Sequence, residues 1–274
     1  MVRTVSAIRY VTPLREGGSL PAIVEADDDG TYVLKFRGAG QGPRVLVAEL
    51  VAGEIARALG LPVPEIVFVE VDPGLGRNEP DSEIRALLKA SLGKNLALDY
   101  LPGALAYDPA AATRLDPLLA SRIVWFDAYV FNIDRTARNT NMLVWHGQPW
   151  LIDHGAAFYF QHGTSDYRAR SRSPFPAIRQ HVLLPLASRL EEADAAARAR
   201  LDRPLLETIV SLIPDAWLAD ASDAPADAPA DDPTGRQAED PAAQRAAYLD
   251  HLVDRLAASA LFVEEAQRAR AEHV

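Results

Sequence analysis

Asp134 and Asn139 stand five residues apart in Asn132-Ile133-Asp134-Arg135-Thr136-Ala137-Arg138-Asn139-Thr140-Asn141, and Asp153-His154-Gly155 follows after a short apolar stretch. Two carboxylates and an amide at this spacing suit the transfer of a phosphoryl group from ATP. That chemistry is mostly positioning and charge neutralisation, so the chain must supply oxygen ligands for a divalent cation and an acceptor for the nucleophile's proton. Mg2+ keeps several waters and takes one or two protein carboxylates beside the phosphates. Asp153 therefore reads as the principal metal ligand and Asn139 as the second, with Asp134 orienting a hydroxyl and accepting its proton. The competing reading is a surface turn, since Asn and Asp favour turns without any catalytic duty. Three polar residues at these spacings, flanked by apolar strands, weigh against it.

The elements that must hold these groups are readable. Leu118 to Phe131 is apolar with Ser121, Arg122 and Asp127 interspersed, which predicts a largely buried helix running into the loop. Asp127 reads as structural, an acceptor for backbone N–H groups of the loop. Met142-Leu143-Val144-Trp145 and Pro149-Trp150-Leu151-Ile152 flank His146-Gly147-Gln148, so a β-hairpin is expected, with Asp153 at the end of its second strand.

Phosphoryl transfer also needs a cation for the phosphates. The chain has 25 Arg but only 3 Lys, at positions 35, 89 and 94. Lys35 lies in the β-branched and aromatic run Thr31-Tyr32-Val33-Leu34-Lys35-Phe36, entered through the turn Asp27-Asp28-Asp29-Gly30. A lysine kept in such a strand points to a required compact ammonium; the alternative is a snorkelling lysine on an edge strand. Lys89 and Lys94 read as surface residues. Val45 to Leu59 has helical apolar spacing and is closed by Gly60 and Leu61-Pro62-Val63-Pro64. Its acids, Glu49 and Glu54, are both candidates to pair with Lys35. Glu49 in the first turns is preferred, while Glu54 reads as solvent-facing and paired with Arg57.

These segments together, YVLKF, the glycine-bearing loop Gly38-Ala39-Gly40-Gln41-Gly42, AELVAGEIARALGLPVPE, FNIDRTARNTN and LIDHG, resemble the HipA-like kinase family over about residues 5 to 190. More distantly they are similar to the phosphatidylinositol kinases, whose catalytic loop also has an Asp-Arg start and an Asn five residues on. The resemblance implies an α+β, bilobed protein kinase-like fold with a small β-rich N-lobe and a larger, mainly helical C-lobe. It implies ATP and Mg2+ as cosubstrates and transfer usually to a Ser or Thr hydroxyl. By match of motif it makes Asp134 the catalytic acid/base, Asn139 and Asp153 metal ligands, and Lys35 the phosphate-binding lysine. In this pattern the strand lysine pairs with a helix Glu, here Glu49. Two departures are visible. His154 stands where most protein kinases have Phe, and no G-x-G-x-x-G precedes Lys35. The nearest glycine-rich stretch, Gly17-Gly18-Ser19, is either a phosphate-covering loop built from backbone N–H groups or an ordinary hairpin turn. The chain is short beside toxin-type members and shows no extra N-terminal domain, so a toxin role is not assumed.

Glu65 to Val71 reads as a strand broken by Asp72-Pro73-Gly74, and residues 77 to 94 are polar and read as an insertion. Leu96 to Leu101 is a second apolar stretch, and by order the Leu98-Asp99-Tyr100 backbone would meet the adenine edge. The lobes are expected at residues 1–98 and 99–274. Phe158 to Arg179 interleaves Arg168, Arg170, Arg172 and Arg179 with Ser, Thr and Tyr. Such a strip either docks an acidic or phosphorylated acceptor or is a solvated basic loop. Residues 182 to 213 and 241 to 272 carry helical periodicity.

Global properties set bounds. No Cys is present, which excludes thiol catalysis and a disulfide framework and fits a reducing compartment. No signal-peptide pattern and no apolar run near the ~18 residues of a membrane span occurs, so a cytoplasmic protein with no membrane partner is expected. The net charge of −10 argues against a nucleic-acid-coating protein. Much of it lies in the Ala-Pro-Asp run of residues 219–241, whose composition predicts a disordered loop. Three functions stay open at this point. They are a Ser/Thr-directed kinase, a kinase-fold phosphotransferase for a small molecule or biosynthetic peptide, and a catalytically silent nucleotide-binding module. The intact set of Lys35, Asp134, Asn139 and Asp153 argues against the third.

Overall fold

The computed structural model describes residues 2–14, 20–40, 42–77, 79–110, 115–158, 170–219 and 240–272. Gly17-Gly18-Ser19, read as either a phosphate-covering loop or a hairpin turn, most of the predicted disordered loop and Arg168 lie outside the described residues.

Three antiparallel strands, β1 (Thr4–Pro13), β2 (Ala22–Ala26) and β3 (Thr31–Lys35), lead into helix α1 (Pro43–Ala58) and strand β4 (Ile66–Val71). Helix α2 (Ser82–Ala90) and strand β5 (Gly93–Asp99) complete a closed barrel in the order β1-β2-β3-β5-β4, with β1 running parallel to β4 at the closure. Side chains alternate across a strand. Ala22, Val24, Ala26, Tyr32, Leu34, Val67, Val69 and Ala97 accordingly fill the barrel, where several small residues suit its narrow interior. The other faces of β4 and β5 present Ile66, Phe68 and Leu96 to α1 and to the helices beyond. This explains why β4 reads as continuously apolar: both of its faces are buried.

Residues 77–94 are not the insertion expected from their polarity. The carboxylate of Asp81 caps α2 by accepting from the amides of Glu83 and Ile84, and Ile84 and Leu88 reach into the barrel core. The helix is amphipathic, and its exposed face supplied the polar signal.

Helix α1 sits between the barrel and the C-terminal helices and belongs to the larger core. A Cβ on Gly53 would lie 2.4 Å from Ile66 Cδ1, so glycine there is what lets α1 approach β4. After the short strand β6 (Leu105–Ala106), helix α3 (Pro117–Tyr129) is buried along most of its length. Asp116 caps it through the Leu119 amide. The hairpin of β7 (Met142–Trp145) and β8 (Gln148–Leu151) pairs with β6. Short 3-10 turns at Pro176–Gln180 and Leu184–Leu186 lead to α4 (Leu190–Arg200), α5 (Arg203–Val210), α6 (Asp215–Ala219), α7 (Pro241–Ala257) and α8 (Ser259–Ala271). Trp217 on α6 stacks edge-on against Phe68 with centroids 5.7 Å apart and donates from Nε1 to the Lys94 carbonyl at 3.0 Å, joining helices to barrel. No helix among the described residues is long and apolar enough to cross a membrane.

Candidate active site

Strand alternation decides where Lys35 goes. Tyr32 and Leu34 point into the barrel, so Lys35 leaves by the opposite face, toward α1. Its Nζ lies 2.6 Å from Glu49 Oε2 and 2.6 Å from Asp153 Oδ1, with the lysine side chain 10% exposed and Glu49 fully buried. Burial alone would push the ammonium pKa down, but the Glu49 and Asp153 carboxylates outweigh it and hold Lys35 above its ordinary value. Burial likewise opposes ionisation of Glu49, and the Lys35 charge overcomes that, so the carboxylate stays well below the usual range. Glu49 is thus the helix partner of the lysine. Glu54 is half-buried and pairs with Arg57 at 2.6 Å.

Asp153 follows β8 by two residues and has φ 55°, a left-handed conformation uncommon for any residue but Gly, Asn or Asp. Its side chain is half exposed, at 49%. The next two residues hold the turn against α1. His154 is fully buried, edge-on to Phe126 at 5.6 Å, with Nδ1 3.4 Å from Glu49 Oε1 but no hydrogen bond formed. A Cβ on Gly155 would lie 2.6 Å from Val45 Cγ1, so only glycine fits beneath the helix.

The loop after α3 is held from below by one buried charge cluster. Arg135 Nε donates to Asp127 Oδ2 at 2.6 Å, and its Nη1 donates to the carbonyls of Asn141 and Ile152. Asn132 Nδ2 donates to Asp127 Oδ1 at 2.8 Å. His181 accepts at Nδ1 from the Leu183 amide, so its hydrogen sits on Nε2 and is donated to Asp127 Oδ2 at 2.8 Å. Burial works against the Asp127 charge, yet Arg135 and His181 keep its pKa far below normal. Asp127 is structural as expected, but its partners are side chains, not loop amides. A buried imidazole, a side-chain amide and a guanidinium take the positions that backbone donors would have needed.

Above this cluster Asn139 Nδ2 donates to Asp134 Oδ2 at 2.8 Å, and Asn141 Nδ2 donates to the same oxygen at 3.2 Å and to the Asp134 carbonyl at 3.3 Å. Asp134 Oδ1 has no partner among the described residues. Arg135, through Ile152, and Ile152 N bonded to Asn141 O at 3.1 Å tie this loop to the turn that carries Asp153. Lys35, Glu49, Asp134, Asn139 and Asp153 therefore sit on a strand, helix α1 and two turns that share one network.

The expected adenine edge is narrower than the sequence suggested. The Asp99 amide donates to the Glu65 carbonyl at 2.8 Å and the Tyr100 amide to the Thr31 carbonyl at 3.0 Å, so neither is left to meet a base. The end of β5 spends both on its neighbours, the chain before β4 and the start of β3. Sequence reasoning also assigned no role to Arg135, Asn141 or His181. The Asp-Arg pair and the third Asn of the loop were the available signals; His181, lying far along the chain, left none.

The family model described as HipA-like kinase matches residues 7–234. No curated protein matches the sequence. Among solved structures, the chain is similar to the Helicobacter pylori proinflammatory kinase CtkA, with TM-score 0.52 and 13% identity over 98% of this chain and 99% of that one. It is also similar to a Golgi casein kinase crystallised with Mn and ADP, with TM-score 0.49 and 12% identity over 100% of this chain and 75% of that one. The expected fold is thus the observed one, an α+β, bilobed kinase-like architecture with a β-rich N-terminal part and a helical C-terminal part. The chain belongs to the HipA-like kinase family and is a phosphotransferase of kinase type.

Proposed function

We propose that this protein is an ATP- and Mg2+-dependent Ser/Thr protein kinase. The observation that carries the reading is the position of Lys35, 2.6 Å from both Glu49 and Asp153, three residues from distant parts of the chain. An ammonium fixed between two carboxylates is aimed and charged before any phosphate arrives. The available donors also suit a hard divalent cation. Asp153 offers a carboxylate oxygen beyond the one Lys35 holds, and Asn139, whose amide nitrogen is engaged with Asp134, keeps its carbonyl oxygen. Asp153 and Asn139 would hold Mg2+, which when bound neutralises charge on the transferring phosphoryl group.

The residues then divide the work. Lys35 binds phosphate oxygens, and Glu49 keeps it in place. Asn139 and Asn141 occupy Asp134 Oδ2 and so fix the carboxylate with Oδ1 toward the acceptor. Asp134 takes the proton of the acceptor hydroxyl as that oxygen bonds to the terminal phosphorus and the leaving oxygen of ADP departs. Incubation with γ-labelled ATP, Mg2+ and a degenerate Ser/Thr peptide mixture tests the reading. Label is expected on Ser or Thr; ATP turnover with label confined to small molecules would overturn the protein-kinase assignment.

A further inference from the structure

The tip of the catalytic loop carries a cation that the reaction scheme above does not use. The Thr136 amide donates to the Asn139 carbonyl at 2.9 Å and the Asn139 amide to Thr136 Oγ1 at 3.3 Å, so Ala137 and Arg138 form the apex of a closed turn. The turn is rigidly related to the candidate proton acceptor, because the Asn139 side chain bonds the Asp134 carboxylate. Arg138 is exposed and has no hydrogen-bond or ion-pair partner among the described residues. That is notable in a chain with 38 acids against 28 Lys and Arg. Arg9, Arg57, Arg203 and Arg268 sit against carboxylates, and another exposed arginine without a side-chain partner among the described residues, Arg77, lies outside the catalytic loop.

A third exposed arginine without a partner among the described residues is Arg172. Arg255 fixes the segment around it. That guanidinium is buried between the Phe131 and Phe262 rings and donates to the carbonyls of Ser171, Ser173 and Ala128. Burial pushes its pKa down to about 9, still high enough to keep it charged at neutral pH. Arg172 is thereby held next to the point where α3 ends and the catalytic loop begins. The same segment returns to the loop through the Thr136–His181 bridge and the Val182 amide, which donates to the Arg135 carbonyl at 3.1 Å.

We propose that Arg138, assisted by Arg172, reads negative charge on the acceptor, so that the preferred substrate is a Ser or Thr hydroxyl flanked by carboxylates in a peptide. An arginine at the loop apex pairs with a side chain flanking the acceptor residue while Asp134 engages the hydroxyl. The partners missing within the protein are then supplied by the substrate. This rests on the kinase reading above and names the substrate class of that same site.

The test compares three peptides that differ only in having Glu, Gln or Lys on both sides of one Ser. They are assayed with wild type, Arg138→Ala, Arg138→Lys, Arg138→Glu and Arg172→Ala, with ADP formation without peptide measured alongside. Wild type should prefer the Glu peptide over the Gln peptide by about fivefold in kcat/KM, the equivalent of one exposed ion pair of about 1 kcal/mol. The preference should shrink as salt rises. Arg138→Ala should abolish it chiefly through KM, Arg138→Lys should keep part of it, and Arg138→Glu should turn it toward the Lys peptide. Arg172→Ala should reduce it. Equal use of all three peptides by wild type, or a preference unchanged in Arg138→Ala and Arg138→Glu, would overturn the inference and leave the kinase reading standing. ADP formation without transfer to any peptide would also overturn it, in favour of a small-molecule acceptor. Absence of ADP formation in every arm would overturn the kinase reading and this inference together.

Discussion

Arg135 follows the candidate proton acceptor directly in sequence, yet its guanidinium is buried beneath the loop with Nε 2.6 Å from Asp127 Oδ2 on α3. Neighbouring residues thus face opposite ways, one to the site and one to the core. The buried pair is what holds the loop, since Arg135 also takes the carbonyls of Asn141 and Ile152.

Removing one partner of a buried pair leaves the other charge uncompensated, at a cost of about 3–5 kcal/mol. Asp127→Asn should therefore lower stability by about that amount, read from urea midpoints, and depress turnover through a disordered loop. The pH sign follows from the pKa. The folded-state value lies below the usual aspartate value of about 4, so the stabilisation is fully present above pH 4 and is lost as pH falls below it. The gap between wild type and Asp127→Asn should be widest at pH 7 and narrow toward pH 3. A constant gap would show that the Asp127 charge is not what stabilises the loop.

Two amides hold Asp134, and they should be separable. Asn141→Ala removes two hydrogen bonds, of which the one to the Asp134 carboxylate, about 1 kcal/mol, bears on proton transfer, so kcat should fall about fivefold with the Mg2+ requirement unchanged. Asn139→Ala removes a hydrogen bond and the proposed metal ligand together, so it should lower kcat and also raise the Mg2+ concentration for half-maximal rate. Identical Mg2+ titrations for the two variants would remove Asn139 from the metal site.

Lys35 is a point charge in a narrow space between two carboxylates, which a planar guanidinium does not reproduce. Lys35→Arg should lose phosphoryl transfer nearly as completely as Lys35→Met. Glu49→Gln should retain a fraction of it, because Asp153 still holds the ammonium. Wild-type transfer by Lys35→Arg would mean that the ammonium geometry is irrelevant to the reaction.

Gly155→Ala brings a methyl group within 2.6 Å of Val45 Cγ1, closer than packing allows. Overpacking of this kind costs about 1–3 kcal/mol. Transfer should fall as the turn carrying Asp153 shifts from α1, and Val45→Ala in the same chain should restore much of the loss. Failure of that second substitution to restore activity would show that the close approach is not the constraint.

What the sequence made legible follows from range. Lys35 stood out by strand context in a lysine-poor chain, and Glu49 by helix position. The Asp134, Asn139 and Asp153 spacing lies within twenty residues of chain, so local order carried it. The partners of Asp127 were misread because His181 lies 54 residues away and leaves no periodic trace near the loop. The role of α2 was missed because only Ile84 and Leu88 of the helix are buried, too few to offset its polar face. That the Asp99 and Tyr100 amides pair with neighbouring strands was not legible either, because strand order predicts where a corner lies but not which N–H groups pair there.

The most direct measurement is intact-mass and nucleotide analysis of the protein incubated with a Ser/Thr peptide mixture, ATP and Mg2+, beside Asp134→Asn. Wild type should yield phosphorylated product and ADP, while Asp134→Asn should bind ATP with a similar rise in melting temperature and lose transfer by at least about 100-fold, as expected for a general base. Transfer by Asp134→Asn close to the wild-type rate would contradict the account.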